Sequence, residues 1–301
     1  MNFLAFTRKF SVKARESYKV LLSGPNNYVI ISKIVFLYRY GGLAMKKDVK
    51  NSESADPLSE GILEGRNAVQ EALRSARTID KAYVASGDTD RALAFLIHQL
   101  KERGTVIVPT DRRKLDAMSQ TGAHQGIIAQ AAAHEYASVD DILDSARQHG
   151  RQPLLIVCDE LSDPHNLGAI LRSAECAGAD GVIIPKRRSV GLTATVAKTS
   201  AGAVEFIPVA RVPNIAACLR ELKQKGVWIF GTAADGDRSL YQADFAGPAA
   251  IVIGNEGAGL SRLVRETCDF LVSIPMKGHI SSLNASAAAS ILLYEAVRQR
   301  Q

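Results

Sequence analysis

Residues 249–260 read AAIVIGNEGAGL: five apolar side chains in a row, then three glycines in six positions around an asparagine and a glutamate. An apolar run without alternation suits a strand buried on both faces, as in a parallel sheet covered by helices. Leu154–Asp159 (LLIVCD) is a second run of this kind, and Gly181–Ile184, Val227–Gly231 and Phe270–Ile274 are also strand-like. Helical spacing fills the intervals at Asn166–Ala177, Ile215–Lys225, Leu260–Glu266 and Asn284–Arg298. This alternation predicts an α/β fold with a parallel sheet.

A smaller α/β unit is predicted upstream. It has helices at Gly65–Ala76, Ala92–Arg103 and Arg113–Ser119 and strands at Lys81–Ala85, Thr105–Val108 and Gly126–Ala131. A helical connector, Ser138–His149, joins the two units and ends in the polar run 149–153. The expected organisation is therefore a leader and tail over 1–60, a small domain over 61–137, a linker over 138–152 and the larger domain over 153–301.

The formal net charge is +6 over 301 residues, but seven basic side chains and one acid fall within residues 1–44, leaving the rest with none. The charge of the main body is thus no argument for RNA binding, and any such surface must be a local patch. The best one is Lys186-Arg187-Arg188; its alternative reading is a solvated loop. The apolar stretch Tyr28–Tyr40 is interrupted by Lys33 and falls short of the roughly 20 residues of a membrane span. Gly41-Gly42 could be encoded as a ribosome-binding sequence ahead of Met45. Translation is therefore expected to start at Met45, with residues 1–44 a gene-start error and 46–60 a polar tail. The four cysteines, Cys158, Cys176, Cys218 and Cys268, are widely spaced beside apolar runs and are expected to be buried free thiols. The histidines lack metal-ligand spacing, so no metal is expected.

Three motifs follow predicted strands, at the edge where open α/β sheets bind ligands. Asp163–Arg172 (DPHNLGAILR) turns into a helix, with Asn166 and Arg172 a turn and a half apart; a plain helix cap with a surface arginine would also explain it. Ile253–Leu260 (IGNEGAGL) is neither a dinucleotide fingerprint nor a phosphate loop, and a simple tight turn is its alternative. Ile274–Ala289 (IPMKGHISSLNASAAA) exposes hydroxyls and an amide before a helix of small residues; there Ser282 or Asn284 could serve only as a cap.

Together, in order and spacing, the three motifs resemble the signatures of the SpoU/TrmH family of RNA ribose 2′-O-methyltransferases, in the SPOUT superfamily. The resemblance spans about Leu154–Arg298. Gly181–Val209 and the upstream unit resemble the members that methylate a guanosine in the P loop of 23S ribosomal RNA. His124-Gln125-Gly126 is similar to the end of the family's small substrate-binding domain.

The resemblance implies a parallel-sheet domain with a deep trefoil knot, preceded by a domain similar to ribosomal protein L30. It implies S-adenosylmethionine as cofactor, held through Gly254, Ile274 and Leu283, with Thr232, Ala233, Asn255, Gly257 and Met276 beside them. Arg172 would be the catalytic arginine, with Asn166, Glu256, Ser282 and Asn284 orienting it, the ribose and the cofactor. A cytoplasmic homodimer acting on ribosomal RNA follows, with no membrane or metal. Three rival readings are a transfer-RNA ribose methylase, a non-catalytic ribosome-assembly factor and, without its phosphate fingerprint, a nicotinamide-dependent oxidoreductase.

Overall fold

The structure is a computed structural model that describes residues 61–87 and 90–301. The expectations for residues 1–60, including the start at Met45, lie outside the described residues.

The first half of the chain builds a four-stranded sheet in the order β1-β4-β2-β3. Its strands are β1 (Ile62–Glu64), β2 (Ile79–Ala85), β3 (Val106–Thr110) and β4 (Ile127–Ala131). β4 pairs antiparallel with both β1 and β2, whereas β2 and β3 run parallel. Helices α1 (Gly65–Arg74), α2 (Arg91–Glu102) and α3 (Arg112–Met118) connect them. Val69, Leu73, Leu96 and Leu100 from the helices pack on Ala82, Val84, Ile127 and Ala129 of the sheet.

Glu64, at the end of β1, clamps the turn after α3. Its carboxylate accepts from Ser119 Oγ at 2.8 Å, Gln120 N at 2.5 Å, and both N and Oγ1 of Thr121. Burial opposes ionisation here, but these bonds overcome it and hold Glu64 down at about 2. A depressed acid stabilises the fold above its unfolded value of ~4.3 and loses that contribution as pH falls through about 2. We expect the unfolding free energy to decline from pH 5 to pH 2 less steeply in Glu64→Gln than in the wild type, as measured by urea titration. Equal slopes would refute the clamp.

Helix α4 (Val139–Gln148) opens with a reciprocal cap between Ser138 and Asp141 and leads into the second sheet. That sheet is seven-stranded and parallel, in the order β7-β6-β5-β10-β8-β11-β9. The strands are β5 (Leu154–Cys158), β6 (Gly181–Pro185), β7 (Val209–Val212), β8 (Trp228–Thr232), β9 (Arg238–Ser239), β10 (Ala249–Ile253) and β11 (Phe270–Ser273). β5, β6 and β10 are buried at every position, which accounts for their unbroken apolar sequence.

Side chains alternate between two cores. Ile156, Val182 and Ile251 face α5 (Pro164–Cys176) and α9 (Ala285–Gln299), while Leu155, Ile183 and Val252 face α4 and α7 (Ile215–Gln224). Two shorter helices, α6 (Ala194–Thr199) and α8 (Arg262–Thr267), complete the set. The chain steps outward from β5 to β7, crosses to β8 and returns to place β10 between β5 and β8. That reversal opens a crevice at the strands' carboxyl ends.

Several sequence expectations need correction. Strands β1, β7 and β9 and helix α6 were not anticipated; all are short, and β7 carries the charged Arg211. Asn284 lies outside its helix as the cap, accepting from the backbone of Ser286 and Ala287. All four cysteines are free, but Cys176, the last residue of α5, is exposed, and Cys268 is only half-buried.

Candidate active site

Three loops converge where β10, β8 and β11 end. The turn after β10 closes on itself, with Asn255 and Gly259 exchanging backbone hydrogen bonds at 2.9 Å. The Asn255 side chain accepts from the backbone of Gly257 and Ala258 at 3.0 and 3.1 Å, and its Nδ2 donates to the carbonyl of Glu160 at 3.0 Å. Gly254 is obligatory, because a Cβ there would stand 2.4 Å from the carbonyl carbon of Gly259. The base of this turn is tied to the end of β5, where Ser261 N donates to Asp159 at 2.7 Å.

Between this turn, the end of β8 and the loop before α9 lies a cavity of about 440 Å³, within the usual size of a small-molecule site. All eight residues expected from sequence to hold a cofactor line it: Thr232, Ala233, Gly254, Asn255, Gly257, Ile274, Met276 and Leu283. Sequence reasoning missed part of the wall, notably Ile253, Val272, Ala285 and Ala288. The signal for the last two was present in the small residues that open α9. The lining contains no Lys, Arg or His, and its one charged group is Glu256. An anionic ligand would find no countercharge there, whereas a cationic one with a flat apolar part would fit.

Glu256 and Ser282 also line the cavity, and Asn166 and Asn284 are joined to its rim. Asn166, only 6% exposed, donates from Nδ2 to Glu256 Oε1 at 2.6 Å and accepts from Asn284 Nδ2 at 2.9 Å. Asn284 in turn caps α9 and accepts from Ser286 Oγ at 2.6 Å. The first turn of α5, the glycine turn and the start of α9 are thus linked through one buried amide.

Arg172 does not join this cluster. It is exposed on α5, lies outside the cavity lining and forms no hydrogen bond or ion pair with a described residue. The basic run is also uneven. Lys186 is half-buried, its ammonium 3.0 Å from where a Cβ on Gly104 would stand, while Arg187 and Arg188 are exposed. Arg188 pairs with Glu160 at 3.2 Å. Among the described residues, no group of His, Cys, Asp or Glu could hold a metal ion, and no helix is long and apolar enough to cross a membrane.

Comparison with known proteins assigns the class. The SpoU rRNA Methylase family model matches residues 153–294, and the model for RNA 2′-O ribose methyltransferase substrate binding matches 62–137. The chain belongs to the SpoU rRNA methylase family. It is 48% identical to the 23S rRNA (guanosine-2′-O-)-methyltransferase RlmB of Ralstonia nicotianae over 79% of this chain and 96% of that one. The RlmB of Shewanella oneidensis is also 48% identical, over 80% of this chain and 98% of the relative. Among solved structures, the SpoU methyltransferase AviRb of Streptomyces viridochromogenes, crystallised with AdoMet, is similar with a TM-score of 0.51 and 27% identity. That match covers 79% of this chain and 90% of AviRb.

Proposed function

We propose that the protein transfers the methyl group of S-adenosylmethionine to the ribose 2′-hydroxyl of a guanosine in 23S ribosomal RNA. The observation that carries this reading is the cavity with no basic residue in its lining, whose rim is wired through Asn166 to Glu256 and Asn284. The names of the relatives and the cofactor in the AviRb crystal support it.

The cavity fits this cofactor. Apolar walls at Ile274, Met276 and Leu283 suit adenine, backbone groups of the glycine turn suit its edge, and a carboxylate at the rim suits a sulfonium. When bound, S-adenosylmethionine supplies an electrophilic methyl with a neutral leaving group.

The chain's own residues supply alignment and charge. Asn166 fixes one oxygen of Glu256, leaving the other to accept a hydrogen bond from the ribose. Ser282 offers a hydroxyl at the same rim. A guanidinium is a poor proton acceptor, so Arg172 acts by gripping RNA phosphate and stabilising charge that develops on the 2′-oxygen.

The finer architecture belongs to the same reading. Insertion of β10 between β5 and β8 supports a trefoil knot, and the order β1-β4-β2-β3 with three helices supports an L30-like RNA-binding domain over 61–137. A linker over 138–152 and a methyltransferase domain over 153–301 complete it. Exposed Ile291 and Tyr294 on α9, with Ile280 and Leu283 in the loop before it, support a homodimer across this face. An rRNA substrate would place the enzyme's work in the cytoplasm.

The test combines the purified protein, labelled S-adenosylmethionine and an unmodified 23S rRNA transcript. Alkali-resistant labelled dinucleotides and a thermal shift with S-adenosylhomocysteine are expected. Transfer only to transfer RNA would overturn the substrate, and no shift with S-adenosylhomocysteine would overturn the cofactor.

A further inference from the structure

The loop between β6 and α6, which carries the basic run, is gripped by the small sheet. Lys81 of β2 donates to the carbonyl of Ser189 at 3.2 Å, and Ala133 N donates to the carbonyl of Leu192 at 2.7 Å. Leu192 N in turn donates to the hydroxyl of Tyr136 at 2.9 Å. Below the loop, Arg211 of β7 pairs with Asp80 of β2, both nearly inaccessible, and donates to the carbonyl of Lys186 at 3.1 Å. Tyr136 completes the group by donating to Asp80 at 2.9 Å. Only glycine fits at 191, since a Cβ there would fall 2.2 Å from an Asp80 carboxylate oxygen. The two sheets are therefore fastened across this loop by buried polar contacts.

The fastening leaves a cleft of about 420 Å³ on the same side. Its walls are Lys81 from the small sheet, Arg188 and Ser189 from the loop, Glu160 and Ser162 from the turn after β5, and Asn255. Asn255 also lines the cofactor cavity, so the cleft and the cavity share a wall.

Two cations face the cleft, and neither is fully engaged. The Lys81 ammonium has three donors, and its hydrogen bond is to an uncharged carbonyl. Burial and then the nearby Arg211 pull Lys81 down by more than the neighbouring Asp80 raises it, so a further anion beside the ammonium would relieve a cost the fold now carries. Arg188 pairs with Glu160 at 80% side-chain exposure. Such surface pairs are weak and exchange readily for a phosphate oxygen. The hydroxyl of Ser162 and the displaced Glu160 carboxylate offer a donor and an acceptor for a sugar.

We infer that this cleft between the two sheets holds a phosphodiester of the RNA strand beside the target nucleotide, gripped by Lys81 and Arg188. The inference rests on the functional reading above. It makes the small sheet a direct contributor to the positioning of the strand at the cofactor, through a side chain next to the Asp80–Arg211 fastening.

The experiment uses the full chain and an oligoribonucleotide that carries the methylated site. One set of substrates has single phosphates replaced by uncharged methylphosphonates. Lys81→Met keeps the shape of the side chain, and Arg188→Gln sits at an exposed position where folding is not at stake. In the wild type, neutralising one phosphate next to the methylated nucleotide should raise KM about tenfold or more, and the variants should have lost that sensitivity. For unmodified RNA, each variant should raise KM ~10-fold and lower the salt slope by ~0.7 per contact removed. Their kcat and affinity for S-adenosylhomocysteine should stay unchanged. Methylation by the wild type with KM and salt slope unaltered in both variants would overturn the cleft alone. Failure of the wild type to methylate any RNA would overturn the functional reading and the cleft with it.

Discussion

Replacing Arg172 with alanine should lower the rate of methyl transfer ~10²–10³-fold, the range for removing one donor aimed at developing charge. Cofactor affinity should not change, because Arg172 lies outside the cavity lining. Stability should stay within about 0.5 kcal/mol, because the side chain is exposed and bonded to no described residue. That combination separates a chemical role from a structural one. Arg172→Lys should recover little, since a lysine keeps the charge but not the planar fork that holds two oxygens at once. Single-turnover rates together with calorimetric binding of S-adenosylhomocysteine measure both quantities. A rate loss below tenfold, or a parallel loss of cofactor binding, would rule out the role given to Arg172.

The second large effect should come from the fastening between the sheets. Arg211→Met removes the countercharge of Asp80, whose side chain is 3% exposed, and should cost about 3–5 kcal/mol. Burial already holds the Asp80 carboxyl above the ordinary range despite Arg211 and Tyr136. Without Arg211 it should rise further. A buried acid with a raised value binds its proton more tightly folded than unfolded, so the variant should lose stability as pH rises. The gap between wild type and Arg211→Met should therefore be widest above neutrality and narrow toward pH 4. Asp80→Leu combined with Arg211→Met should regain most of the loss, because a matched apolar pair leaves no charge stranded. Denaturant midpoints at pH 5 and pH 8 test this. A loss below 1 kcal/mol, or a double variant no better than the single, would show that the pair does not carry the contact.

What the sequence revealed follows from which forces are local. The apolar runs of β5 and β10 were legible because burial on both faces leaves no polar position in the strand. The turn into α5 was legible from Pro164, but the helix was read from Asn166, two residues late, although Asp163 caps it and Pro164 is its first residue. The residues expected around the cofactor came from the family resemblance of the motifs, not from spacing or periodicity. What the residues themselves announced was a tight glycine turn, where a Cβ on Gly254 would meet Gly259. The Asp80–Arg211 pair was not, since nothing near either residue announces a partner 131 positions away. Strand β7 was hidden by the same arginine, whose charge is tolerable in a strand only because Asp80 meets it. Arg172 marks another limit. Its motif gave a role, but spacing along a helix cannot say what an exposed side chain will meet.

The strand order also sets a timetable for synthesis. The small sheet uses residues 62–131, so its four strands can pair while most of the chain is still unmade. The large sheet cannot close so early, because Ile253 of β10 pairs with Cys158 of β5, ninety-five residues upstream. At bacterial or slower translation rates that interval lasts on the order of ten seconds. During it β5 has an open edge and Asp80 waits for Arg211, so the nascent chain is half-built and adhesive at a predictable moment. Slowing translation within residues 159–248 should lengthen the exposure of the β5 edge and raise demand for chaperones, whereas slowing it before residue 154, when β5 is not yet made, should leave that edge's exposure unchanged.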